Sequence, residues 1–144
     1  MKRPGLCLLA VLWACSPSAA QNLYVELQLT PLLNQSAEEI ISAERILGMG
    51  LFLDRDVPIE TYALDLDGDG RNEHVIVGRM ANIPHGLGLN RKIVLVDSAG
   101  DILLSEMGSS TPRIFVDREQ AKVAVMVERF AGPRLISIDL PPSF

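Results

Sequence analysis

Four carboxylates stand together in one short stretch, Asp65-Leu66-Asp67-Gly68-Asp69-Gly70-Arg71-Asn72-Glu73, at loop positions 1, 3, 5 and 9. Acids at alternate positions of a tightly turning backbone can aim several oxygens at one centre, and a hard cation such as calcium takes about six to eight oxygen ligands. Position 7 of such a loop adds a backbone carbonyl, which here belongs to Arg71. Gly70 permits the sharp turn and Gly68 relaxes the chain between ligands. Four carboxylates in nine residues repel one another without a counterion. The alternative is a solvated hairpin turn, since Asp-Gly is a common hairpin dipeptide, but a plain turn does not require acids at alternate positions.

Other chemistry has less material. Cys7 and Cys15 are the only cysteines and both precede residue 20, so thiol nucleophiles, thiolate zinc sites and a disulfide framework are excluded from the rest of the chain. His74 and His85 are the only histidines, too few for a His-rich metal centre. No Gly-x-Ser-x-Gly elbow supports a serine hydrolase. Gly86-Leu87-Gly88 lacks the third spaced glycine and the following helix of a dinucleotide fingerprint. Glu38 and Glu39, adjacent on a helix, project in different directions and suit a helix cap better than a carboxylate pair for glycoside hydrolysis.

The elements that must position the acidic loop are strands. Ile59–Leu64 leads into it and His74–Gly78 leads out, followed by short β-rich runs at Lys92–Val96, Ile102–Ser105, Arg113–Val116, Val123–Val127 and Leu135–Leu140. Turn-compatible links at Ser98–Asp101, Asp117–Gln120 and Ala131–Pro133 make this half an antiparallel meander, because parallel pairing needs crossover helices that the sequence does not supply. Ile93–Val96 is apolar on both faces and reads as a central strand covered on each side. Upstream, residues 23–29 alternate as a half-buried edge strand ended by Pro31. Ser36-Ala37-Glu38-Glu39 is a capping-box pattern opening one helix over about 37–48, stopped by Gly48 and Gly50. The expected fold is α+β, about seven or eight strands in an antiparallel meander with one N-terminal helix covering a sheet face. Met80–Arg91 (MANIPHGLGLNR) is the one long, glycine-rich connection.

The acidic loop resembles an EF-hand through position 6 and then departs from it: position 12 is Ile76 in place of a bidentate Glu, and neither flank is helical. From Tyr62 to Met80 the segment is more similar to the FG-GAP or VCBS-type repeat, the calcium loop of integrin-like propeller blades. In that family an Asp-x-Asp-x-Asp-Gly-x-x-Asp loop enters an apolar strand ending in Gly, as Asp65–Glu73 enters Val75-Ile76-Val77-Gly78 here. Glu73 stands where Asp is usual, and Arg79-Met80 stands where Ala-Pro is frequent. The resemblance implies Ca2+ held by the side chains of Asp65, Asp67, Asp69 and Glu73. A closed propeller needs about four to eight blades, and this chain has one copy of the loop, so a monomeric propeller is excluded. Tyr62–Ser105 has the strand count of one blade, and the remaining strands either extend it or form a second, degenerate blade.

Lys2 and Arg3, the apolar run Leu6–Ala14 and the small residues up to Ala20 read as an export signal (1–20) cleaved before Gln21. Leu12-Trp13-Ala14-Cys15 also resembles a bacterial lipobox, which would place a lipid anchor at Cys15. Either way the expected location is the bacterial periplasm or the exterior. Residues 21–144 then form a single exported domain in which 11 basic residues face 18 acidic ones, a net charge of −7. That balance excludes broad nucleic-acid binding, and no apolar run is long enough for a membrane span. Two functional expectations follow. One is a non-enzymatic calcium-binding domain that engages a protein or glycan partner or supports envelope structure. The other is an exported hydrolase with a site near the 80–91 loop and His85, and a structural calcium.

Overall fold

The computed structural model describes residues 23–48, 59–79 and 91–140. The expected export signal with Cys7 and Cys15, the expected cleavage position before Gln21, and the glycine-rich connection with His85 lie outside the described residues. In chain order the described elements are β1 (Val25–Leu27), β2 (Thr30–Pro31), α1 (Ala37–Ile40), α2 (Ala43–Gly48), β3 (Glu60–Leu64), β4 (Glu73–Arg79), β5 (Arg91–Val96), β6 (Ile102–Gly108), β7 (Arg113–Asp117), β8 (Lys122–Val127) and β9 (Arg134–Asp139).

These strands form two sheets, ordered β2-β3-β4-β5-β6 and β1-β7-β8-β9, and every pairing is antiparallel. The α+β class and the hairpin meander expected from the sequence are therefore present, and the strands after β6 build a second sheet. Period-two alternation explains how the layers meet. Val75, Val77, Ile93 and Leu95 turn toward the second sheet and are buried with Ile114, Val116, Val123, Val125 and Val127. The intervening residues Ile76, Val94 and Val96 turn the other way and are buried with Ala37, Ile41 and Ile46 of the helical layer. β5 is apolar on both faces because it is covered on both faces.

The N-terminal elements depart from the simplest reading in two places. Only Val25–Leu27 of the alternating segment 23–29 is strand: β1 pairs with β7 at one sheet edge, and after Gln28 and Leu29 the chain enters β2, which pairs with β3 at the edge of the other. Leu27 and Leu29 pack on the inter-sheet core, whereas Leu23, which precedes the strand, and Val25, at the start of this edge strand, are 62% and 60% exposed. The single helix expected over 37–48 is broken at Ile41, which is extended (φ −132°, ψ 151°). Ser36 and Glu39 form the expected capping box, with Ser36 N–H donating to Glu39 Oε2 at 3.1 Å. Ser42 then starts α2 by accepting Arg45 N–H on its hydroxyl at 3.4 Å and Ile46 N–H on its carbonyl at 3.1 Å. The break lets Ile41 and Ile46 both face Ile76, Val94 and Val96, which a straight helix through residue 48 would not do.

Antiparallel pairing sends the β3–β4 and β5–β6 turns to one end of the five-stranded sheet, and the β7–β8 turn reaches the same end. At the opposite end the sheets are pinched together. Ser109 N–H donates to Glu128 O at 3.0 Å, and Arg129 Nη2 meets Glu106 Oε2 at 2.8 Å.

Candidate metal centre

The acidic loop joins β3 to β4, and its frame is set by two residues. Leu64 pairs with Glu73 and closes the hairpin, and Leu66, 1% exposed, continues the alternation of Leu64 into the inter-sheet core. With Leu66 anchored inside, its neighbours Asp65 and Asp67 are turned outward on either side of it. Leu66 N–H donates to Glu73 Oε2 at 2.7 Å, which fixes the first residue of β4 against the first turn of the loop.

The aspartates then wind the backbone. Asp65 Oδ1 accepts Gly68 N–H at 2.7 Å and its Oδ2 accepts Gly70 N–H at 3.1 Å. Asp67 Oδ1 accepts Asp69 N–H at 3.0 Å, and Asp69 Oδ1 accepts Arg71 N–H at 2.7 Å. Such side-chain bonds to nearby backbone donors are what Asp contributes to turns. Gly68 (φ +79°) and Gly70 (φ +83°) occupy the left-handed region that this winding requires and that other residues rarely adopt.

The result brings one carboxylate oxygen each of Asp65, Asp67 and Glu73 within 4.8 Å of one another. Oxygens bound to a single Ca2+ at about 2.3–2.6 Å lie no more than about 5 Å apart, so the three fit one coordination sphere. The donor set is oxygen only, which suits a hard cation and not a thiophilic metal. Asp69 stands outside that trio, exposed, with its carboxylate engaged by Arg71 N–H. Arg71 is exposed at position 7, where the sequence reading uses its carbonyl.

Electrostatics separate Glu73 from the aspartates. Glu73 is only 5% exposed, and burial pushes its carboxyl above the ordinary carboxylate range. The negative charges of Asp67 and Asp69 push it the same way, against the Leu66 N–H bond that favours the ionised form. A divalent ion would reverse that balance by supplying the missing counter-charge. His74, next along β4, shares a sheet face with Ile76 toward the helices and does not join the trio. Its ring pKa is lowered by burial, and Nδ1 has no hydrogen-bond partner among the described residues.

One further residue reaches this end without a signal in the local sequence. Arg118, in the β7–β8 turn, donates from Nη2 to Asp65 O at 3.1 Å. Its partner lies 53 residues away on the other sheet, a separation that no local pattern reports. Leu66 did leave a signal, since it prolongs the apolar alternation of β3 into the loop. Comparison with known proteins adds no relative: no family model, no curated protein and no solved structure matches this chain.

Proposed function

We propose that this chain is an exported, non-enzymatic calcium-binding domain, in which the Asp65–Glu73 hairpin loop holds Ca2+ and staples a β-rich fold used for protein or glycan interaction or for envelope structure. The observation that carries this reading is the convergence of Asp65, Asp67 and Glu73 oxygens within 4.8 Å. The resemblance of residues 62–80 to the FG-GAP or VCBS-type hairpin supports calcium over other hard cations. So does the number of protein oxygens the loop offers, because Mg2+ demands a near-octahedral shell and usually keeps several of its waters. Asp69 and the Arg71 carbonyl complete the proposed ligand set. Export rests on the order of charge, apolar run and small residues in positions 1–20, with Cys15 as the alternative processing and lipidation site.

A staple has thermodynamic content in a domain without disulfides. Binding at a free calcium of about ten times the dissociation constant stabilises the fold by about 1.4 kcal/mol. For a domain of this length that corresponds to a melting-temperature rise of about 4–7 °C. The test is thermal melting of the full chain in excess calcium and in excess chelator, with Asp67→Asn as control. A rise in calcium that disappears in the variant is expected. Identical melting in both conditions overturns the proposal.

A further inference from the structure

The acidic loop is held from two directions, and only one of them belongs to its own hairpin. From the opposing sheet, the Arg118 guanidinium donates to the carbonyl of Asp65 and lies over Gly68. A Cβ at Gly68 would sit 3.2 Å from Arg118 Nε and 3.4 Å from Cζ, so the side chain occupies the space that the glycine leaves open. The turn that presents Arg118 is itself fixed. Asp117, 2% exposed, accepts Gln120 N–H at 3.0 Å, and Ala121 O accepts Leu140 N–H at 2.8 Å beyond the end of β9. Ala121 is held at φ +51°, a conformation that alanine adopts only where its surroundings impose it. A long side chain on a mobile surface contributes little through one bond, because fixing its rotamers offsets the gain. Arg118 leaves a constrained turn and meets a constrained backbone.

We propose that Arg118 is a positioning residue for the cation loop, clamping Asp65 and Gly68 from the opposing sheet, so that cation affinity depends on how the two sheets pack. This rests on the calcium reading of the loop. Two properties of the guanidinium act with opposite sign. Its positive charge near the carboxylates opposes a bound cation, so charge alone makes its removal tighten binding. Its hydrogen bond and its cover over Gly68 preorganise the loop, so positioning makes its removal weaken binding. Positioning dominates here: among the described residues Arg118 donates to a backbone carbonyl and to no carboxylate, and the site's carboxylates are engaged by the loop's own N–H groups.

The sign decides the experiment. Calcium titration calorimetry on the full chain, on Arg118→Ala and on Arg118→Lys is paired with amide exchange of the loop in chelator. Arg118→Ala is expected to raise the calcium dissociation constant about two- to tenfold, the effect of one lost hydrogen bond. It is also expected to accelerate exchange at Gly68 and Gly70. Arg118→Lys, which keeps the charge and an N–H donor on a long side chain, is expected to recover part of both. An Arg118→Ala variant that binds calcium as tightly as the parent, or more tightly, overturns this proposal alone. A parent chain that binds no calcium overturns the cation reading and this proposal with it.

Discussion

Replacing Glu73 by Gln separates the loop's two conditions, because it acts with opposite sign in chelator and in calcium. Glu73 is buried, accepts Leu66 N–H at 2.7 Å, and has an oxygen within 4.8 Å of carboxylate oxygens on Asp65 and Asp67. Two unit charges at that separation repel by about 1 to 3.5 kcal/mol as the effective dielectric falls from about 80 to about 20. Asp67 is half-buried, so the lower part of that range applies, about 1–2 kcal/mol. Glutamine keeps an oxygen for Leu66 N–H and offers amide donors to the aspartates, so the Glu73→Gln fold loses the repulsion and keeps the hydrogen bond. In chelator near pH 8 the variant is expected to melt about 3–8 °C above the parent. In calcium it lacks an anionic ligand, so its calcium-dependent rise shrinks or vanishes and the order of stabilities narrows or inverts.

The pH dependence follows from the same residue. Its folded-state pKa is raised by burial, so the folded state binds this proton more tightly than the unfolded chain does. That contribution is full below the ordinary Glu value of about 4.3 and is lost as pH rises through the folded-state value. The parent in chelator therefore loses stability across that window, and Glu73→Gln does not. Differential scanning calorimetry at several pH values, with and without calcium, measures both effects. A Glu73→Gln chain that melts below the parent in chelator, or that retains the full calcium increment, refutes the reasoning about this carboxylate.

Two further outcomes concern the frame around the loop. Gly108 sits where the sheets are pinched, and a Cβ there would lie 2.5 Å from Val127 Cγ1 and 2.9 Å from Ile93 Cδ1, so Gly108→Ala is expected to destabilise by about 1–3 kcal/mol in a denaturant melt, and an unchanged midpoint contradicts this packing. The His74 ring has its pKa lowered by burial, so the folded state disfavours its protonation; stability is present above the ordinary histidine value of about 6.5 and falls as pH drops below it. In excess calcium, His74→Gln should flatten that acid limb, and a slope identical to the parent's counts against a partly buried ring that the fold keeps from protonating.

Most of the frame was legible in the chain because its signals are local. The seven strands from β3 to β9 match the apolar runs read from the sequence to within a few residues at their ends, and β5 shows on its face that it is covered on both sides. The loop was legible because Asp at alternate positions and Gly at φ +79° and +83° are properties of consecutive residues. What the sequence did not disclose is mainly non-local. Alternation over 23–29 does not say how long the strand is or which sheet it joins, and here Val25–Leu27 joins one sheet while Thr30–Pro31 joins the other. The break at Ile41 has a local and a tertiary cause: β-branched Ile40-Ile41 followed by Ser42 offers a second N-cap, and the break buries Ile41 and Ile46 against the same sheet face. Arg118 meets Asp65 only because two turns of different sheets reach the same end.

That shared end explains how a loop with so much like charge is tolerated in the fold. Its backbone is not free to open and relieve the repulsion. Leu66 is anchored in the core, Glu73 is paired with Leu64 at the start of β4, and Arg118 holds the carbonyl of Asp65 from the facing sheet. Each tie belongs to an element whose own stability comes from apolar burial elsewhere, so the sheets hold the carboxylates at a separation they would not choose. On the proposed reading, a cation entering such a loop finds the ordering of the backbone already done, and binding is opposed mainly by dehydration of the ion and the carboxylates. The same ties set the direction of coupling. Loosening the inter-sheet packing, for instance at Gly108, should weaken cation binding at the far end of the sandwich, whereas removing a proposed ligand such as Asp67 should leave the Gly108 contact undisturbed in chelator.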